Sequence, residues 1–170
     1  MTGDLRTDAI RRNGGKHSFY AAAYLALDAI RGELAESWNW KENPLRLEVK
    51  LRKGVMFPEK KGVMAARELV ADDVVFSFAR MKGDGSNMKA TNSDVKEVRK
   101  IDDHTVEIET FAPQPILPDV ITTSYMMSKK WCEANQAVTP VDRRKGIENA
   151  ASFRANGPCL LYTSPSPRAS

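Results

Sequence analysis

Leu45-Arg46-Leu47-Glu48-Val49-Lys50-Leu51 alternates apolar and charged residues without a break. In an extended chain every second side chain points to the same face, so this stretch predicts a strand with one buried and one wet face. Asn43-Pro44 before it is a turn signal, and Lys53-Gly54 after it ends the strand. Val55-Met56-Phe57 follows as a short apolar run. Pro58 closes it, because proline has no N–H to give to a ladder.

Towards the C-terminus the period changes. Lys60–Leu69 is polar and has no clear pattern. Over Ala71–Met81, Val74, Val75, Phe78 and Met81 recur at spacings of three and four, which predicts a helix. Asp72 and Asp73 fall in its first turn, where the helix dipole favours negative charge. Gly83-Asp84-Gly85-Ser86-Asn87 stops it.

Val95–Ile101 and Thr105–Thr110 read as the two arms of a hairpin joined by Asp102-Asp103-His104. Val106 and Ile108 point one way, Glu107 and Glu109 the other. Val95, Val98 and Ile101 are spaced by three, which also suits a helix. The tight acidic turn and the pairing partner favour the strand. Pro113–Asp119 is a loop or short helix, and Met126–Asn135 runs through a helix with Ser128 as its N-cap. Towards the N-terminus, Ala21–Ile30 fits a short helix, while residues 1–20 carry little beyond the turn signal Asn13-Gly14-Gly15. Strands and helices alternate without a repeat, so the fold class is mixed α/β (α+β).

Composition bounds the function. With 42% hydrophobic and 28% charged residues in 170, the chain fits one soluble globular domain. No apolar run approaches the roughly 18 residues of a membrane span. The net charge of +4 is spread among acids, and the basic clusters at Lys50–Lys53 and Arg143–Lys145 are short, which argues against nucleic-acid binding. Arg11, Arg12 and Lys16 precede apolar Phe19–Leu27. However, a cleavage site is missing and Asp28 and Arg31 follow, so no signal peptide is read here. Two cysteines make no disulfide framework. His17, His104, Cys132 and Cys159 are too scattered for a metal site, and no cofactor motif is present.

No catalytic residues are assigned. Gly83-Asp84-Gly85 lacks the strand-turn-helix setting of a phosphate loop. Asp72-Asp73 and Asp102-Asp103 are explained by the helix dipole and by a turn. His104 at the hairpin tip reads as a solvated imidazole, and Cys132 as a small apolar helix residue.

The last stretch, Cys159-Leu160-Leu161-Tyr162-Thr163-Ser164-Pro165-Ser166-Pro167-Arg168, is what the codons TGT CTC TTA TAC ACA TCT CCG AGC CCA CGA would encode. That string is a common transposase-based sequencing adapter. Residues 159–170 are therefore read as a non-native tail rather than a Ser/Pro-rich disordered end. On this reading Cys159 carries no chemistry.

Several blocks together resemble the family 5 extracytoplasmic solute-binding proteins, the peptide-binding components of ABC importers. Leu34-Ala35-Glu36-Ser37-Trp38 is similar to the family's LAESW block, and Leu51-Arg52-Lys53-Gly54-Val55-Met56-Phe57 to its L-R-x-G-V-x-F block. Ala71–Arg80 resembles its A-[DE]-D-V-x-[FY]-S-x-x-R helix. Asp102-Asp103-His104-Thr105-Val106 resembles its D-D-x-T-V hairpin, and Met127-Ser128-Lys129-Lys130 its S-K-K block. Asn156-Gly157-Pro158 resembles the end of an N-G-T-G-P segment, with residues missing. Val70 stands where the family usually has a Thr cap, the loop Pro58–Val70 is longer than usual, and the strands expected before LAESW are absent or scrambled in residues 1–26.

The resemblance implies a type II periplasmic binding protein-like fold, of which only a partial first lobe is present, in residues 27–158. It implies capture of peptides or similar small polar solutes outside the cytoplasmic membrane, partnership with ABC permease subunits, and no catalysis. Nickel complexes, haem, oligosaccharides and opines are also ligands in the family. Most ligand contacts are implied to lie in a second lobe beyond this sequence. Tyr125, just before the S-K-K block, is the one candidate ligand-binding residue, because tyrosine offers both a stacking face and a hydroxyl. Its competing reading is a half-buried tyrosine packed on the Ser128–Asn135 helix. The alternative function is a small cytoplasmic enzyme or regulatory α/β domain that resembles the family by chance.

Overall fold

The computed structural model describes residues 32–43, 45–152 and 157–158. Its centre is an antiparallel sheet of β1 (Ala35–Trp40), β2 (Arg46–Leu51), β6 (Thr105–Thr110) and β5 (Val95–Asp102), in that spatial order. The alternation in β2 decides which face is inside. Leu47, Val49 and Leu51 are buried, whereas Lys50 is exposed. Leu47 pairs with Ile108 and Val49 with Val106, so the apolar residues of β2 and β6 lie on one face. A slip of β2 by one residue would turn Leu47, Val49 and Leu51 to the wet face, which pins the register.

Helix α1 (Ala71–Met81) covers that face with Val74, Phe78 and Met81. Val75, expected on the same stripe, is only half-buried. Asp73 and Ser77 are buried instead, because both make polar contacts that the period alone does not register. A two-stranded ribbon of β3 (Met56–Phe57) and β4 (Arg67–Glu68) lies between β2 and α1 in sequence. The turn that leads into it needs Gly54, whose φ of +75° is left-handed. After the sheet come α2 (Leu117–Val120), a 3-10 turn at Ile121–Thr123, α3 (Lys129–Ala134), and short 3-10 turns at Arg143–Lys145 and Ala150–Ser152.

The hairpin expectation holds: β5 and β6 pair through Val98–Ile108 and Arg99–Glu107. The spacing of three along Val95, Val98 and Ile101 comes from irregularities between Val95 and Glu97 and between Lys100 and Asp102. Each extra residue shifts the alternation by one. Val95 is therefore buried, while Ile101 is 56% exposed. The expected cap at Ser128 holds, and the helix it opens runs from Lys129 to Ala134. Ser128 is extended, and its Oγ accepts from Trp131 N at 3.3 Å, as an N-cap does. Cys132 is buried in α3, as expected. The expected Ala21–Ile30 helix, the ill-defined segment 1–26 and the tail 159–170 lie outside the described residues.

Candidate functional site

The described residues contain a buried charged centre, a polar junction at the hairpin tip, an apolar groove and an open charged sheet face. The first grows from Asp73 in the first turn of α1, which is 1% exposed. Arg67 of β4 grips it with both terminal guanidinium nitrogens. Nη1 donates to Oδ2 at 2.9 Å, and Nη2 donates to Oδ1. Asp73 Oδ1 also accepts from Lys129 N at 2.9 Å, and Oδ2 from Val70 N at 3.2 Å. The second bond does part of the work of the missing Thr cap, because it serves a backbone donor at the helix start. Arg67 Nη2 reaches Ser128 Oγ at 2.8 Å, and the guanidinium lies 4.9 Å from the Phe57 ring centroid. One carboxylate thus ties the ribbon, α1 and α3 together. The arrangement fixes a scaffold and presents no reactive group to solvent.

At the hairpin tip, His104 is half-buried rather than solvated. Its Nε2 lies 3.2 Å from Glu68 Oε1, because the turn folds onto the ribbon. Gly54 N donates to the same Glu68 oxygen, and that bond holds the carboxyl below its usual range. The turn is docked further by Leu51 N to His104 O at 2.7 Å and Ala71 N to Asp103 O at 2.8 Å. Lys100 bridges Asp103 and Asp72 at 2.7 Å each and is held above the ordinary lysine range. The groups here pair with one another or hold backbone, and the His104 ring has the Glu68 carboxyl beside it rather than a hydroxyl or thiol.

The groove has a volume of about 200 Å³ and opens beside the N-terminal end of β1. Trp38, Val49, Leu51, Phe78, Ile121 and Met126 give it an apolar lining. A peptide's termini and amides need convergent polar partners, and a predominantly apolar wall supplies few. The opposite face of the sheet is the reverse case. Glu109 receives Lys96 at 2.6 Å and Arg99 at 2.6 Å, and Arg99 also reaches Glu107 at 2.8 Å. The Lys96 ammonium holds the Glu109 carboxyl down. These charges satisfy one another and leave no single-sign field.

Tyr125 is 64% exposed, so its side chain does not pack on α3 as the competing reading expected. It lies in the strand-like link between the 3-10 turn and α3, with Ser124 and Met126 turned to the groove. Sequence reasoning missed Arg67 and the Lys129 N–H as partners of Asp73, and Ser128 as a partner of Arg67. It also missed β1 as a strand, although Trp38 and Trp40 alternate with Ser37 and Asn39. Gly83 and Gly85 are no phosphate loop. A Cβ at Gly85 would lie 2.6 Å from Pro140 O, so a close chain crossing requires the glycine. Among the described residues no group of three or more His, Cys, Asp or Glu is placed to hold a metal ion.

Residues 29–158 match the bacterial extracellular solute-binding proteins, family 5, middle region. Among curated proteins, the chain is similar to the dipeptide-binding protein of Escherichia coli (strain K12). The two are 33% identical, over 59% of this chain and 22% of that protein. Among solved structures it resembles NikZ from Campylobacter jejuni in complex with Ni(L-His). That match has a TM-score of 0.52 and 28% identity, and covers 63% of this chain and 21% of the other. It also resembles the oligopeptide-binding protein AppA from Bacillus subtilis in complex with a nonapeptide. There the TM-score is 0.56 over 74% of this chain and 24% of the other. At 23% identity this likeness speaks for the fold alone. The chain spans about a fifth of the length of the curated relatives it matches. The fold is thus part of the type II periplasmic binding protein architecture, and a resemblance by chance is set aside.

Proposed function

The chain belongs to the bacterial extracellular solute-binding proteins of family 5, and on that premise we propose that residues 27–158 form part of the first lobe of a binding protein that serves an ABC importer. The parent captures peptides or similar small polar solutes outside the cytoplasmic membrane, delivers them to permease subunits, and performs no catalysis. The observation that carries this reading is the assembly of the family-like blocks into one body. Leu34–Trp38 leads into the sheet's edge strand, Ala71–Arg80 covers the sheet, Asp102–Val106 turns its hairpin, and Ser128 caps α3 while it meets Arg67. Among the described residues no helix is long and apolar enough to cross a membrane.

Affinity in a two-lobed binder comes from enclosing the ligand between lobes, through contacts made only in the closed state. Tyr125 is the residue of this lobe proposed to meet the ligand, since its exposed ring and hydroxyl are unspent on packing. Residues 159–170 are proposed to be adapter read-through and to take no part. The test is to sequence outward from the source locus and express the longer protein. It is then titrated calorimetrically with mixed di- to pentapeptides. Peptide binding, a leader sequence and neighbouring permease and ATPase genes are expected. Hydrolase activity lost in His104→Ala would overturn the binding reading. Unchanged affinity in Tyr125→Ala would remove Tyr125 from the site.

A further inference from the structure

The four-stranded sheet ends at β5. Among the described residues β5 pairs with β6 on one side and with no strand on the other. An edge of this kind carries backbone donors and acceptors ready to pair with another chain, which makes it a route to self-association. Its charges do not prevent that. If two copies of β5 met antiparallel about a two-fold axis between Val98 and Arg99, Glu97 of each would face Lys100 of the other. Opposite charges directly across a ladder stabilise it. The exposed side chain of Ile101 would add an apolar contact.

Lys82 stands in the way. It caps the C-terminal end of α1 and reaches across to the strand. Its Nζ donates to Val95 O at 2.6 Å and to Lys96 O at 2.8 Å. Both carbonyls sit at the irregularity between Val95 and Glu97, where the ladder with β6 breaks step. An incoming strand needs free carbonyls, and here two are held by one ammonium. Covering that ammonium with a second chain costs its hydration, and displacing it costs both of its bonds. The second irregularity, between Lys100 and Asp102, leaves only Glu97, Val98, Arg99 and Lys100 as a regular run. That is shorter than the five or six residues of an ordinary strand. We infer that Lys82 is an edge guard, whose ammonium on the Val95 and Lys96 carbonyls keeps a second copy of this chain from pairing with β5.

The test compares the full 170-residue chain with Lys82→Met and Lys82→Arg. Light scattering on a sizing column gives the mass over a wide range of concentration. Hydrogen exchange then reports the amides of residues 97–100. The wild type is expected to stay a monomer. Lys82→Met, which keeps the stem and loses the donor, is expected to dimerise as concentration rises, with exchange in 97–100 slowed several-fold. Lys82→Arg keeps donors for both carbonyls and is expected to remain a monomer. A monomeric Lys82→Met overturns the proposal, and so does a dimer without added protection in 97–100. Loss of the cooperative urea transition in Lys82→Met also contradicts it, since Lys82 would then hold the fold rather than guard its edge.

Discussion

The Arg67–Asp73–Ser128 centre and the Glu107–Glu109 ladder are built from much the same groups, but they differ in what covers them. Asp73 is 1% exposed, and its partners come from β4, from α3 and from Val70 just before its own helix. Glu109 is also shielded, yet its cations Lys96 and Arg46 keep 51% and 41% of their side-chain surface in water. Water and salt compete for the second set and hardly reach the first. The comparison teaches that the buried centre sets which elements pack together, while the ladder keeps an uncovered sheet face polar.

The largest expected effect is at the centre. Asp73→Ala leaves the Arg67 guanidinium and the Lys129 N–H without their acceptor, and removing one partner of a buried pair costs about 3–5 kcal/mol. Urea denaturation should show a loss of that order or no cooperative transition at all. A loss comparable to that of a surface substitution would break the comparison. Ser128→Ala removes both the α3 cap and a ligand of Arg67, so a smaller loss of about 1–2 kcal/mol is expected. Glu109→Gln on the open face should move the urea midpoint far less than either. That shift should shrink in about 1 M salt, where the screening length falls to roughly 3 Å. If the Asp73→Ala effect vanished in salt instead, the two regions would not differ in the way proposed.

Acid supplies the smallest and most distributed effect. The carboxyls of Glu68, Asp102, Asp103 and Glu109 are all held below their ordinary values. The respective main causes are the Gly54 N–H, the His104 N–H, Lys100 and Lys96. A depressed folded-state value contributes stability that is whole above the unfolded value of about 4 and is lost as pH falls through the folded value. Midpoints in urea should therefore be level from about pH 6 to 5 and fall below about pH 4. Glu68→Gln should flatten part of that fall. A midpoint that rises on acidification would contradict the assigned contacts.

Much of the sheet side was legible from residue order. Leu47, Val49 and Leu51 announce their face by alternation, and so do Val106 and Ile108. α1 was legible in extent but not in its buried polar residues. Asp73 looks like an ordinary first-turn acid until Arg67, six positions back, and the Lys129 N–H, 56 positions on, fold against it. Arg67 lies in a stretch with no period, so nothing local marks it. β5 resembled a helix because its irregularities break the alternation. The groove could not be read at all, since it is a gap between side chains from β1, β2, α1 and the link before α3. Tyr125 was placed from its position before the S-K-K block, and its exposure is the one local property that the structure adds.

The central claim is that this chain is scaffold from one lobe and that ligand affinity needs the other. Isothermal calorimetry on the chain as it stands tests this most directly, with a dipeptide, a nonapeptide and a nickel–histidine complex titrated in turn. The account predicts no saturable heat at millimolar ligand for any of them, from a chain whose cooperative urea transition shows it to be folded. Saturable binding of any one of them at micromolar concentration, by this chain alone, would contradict it.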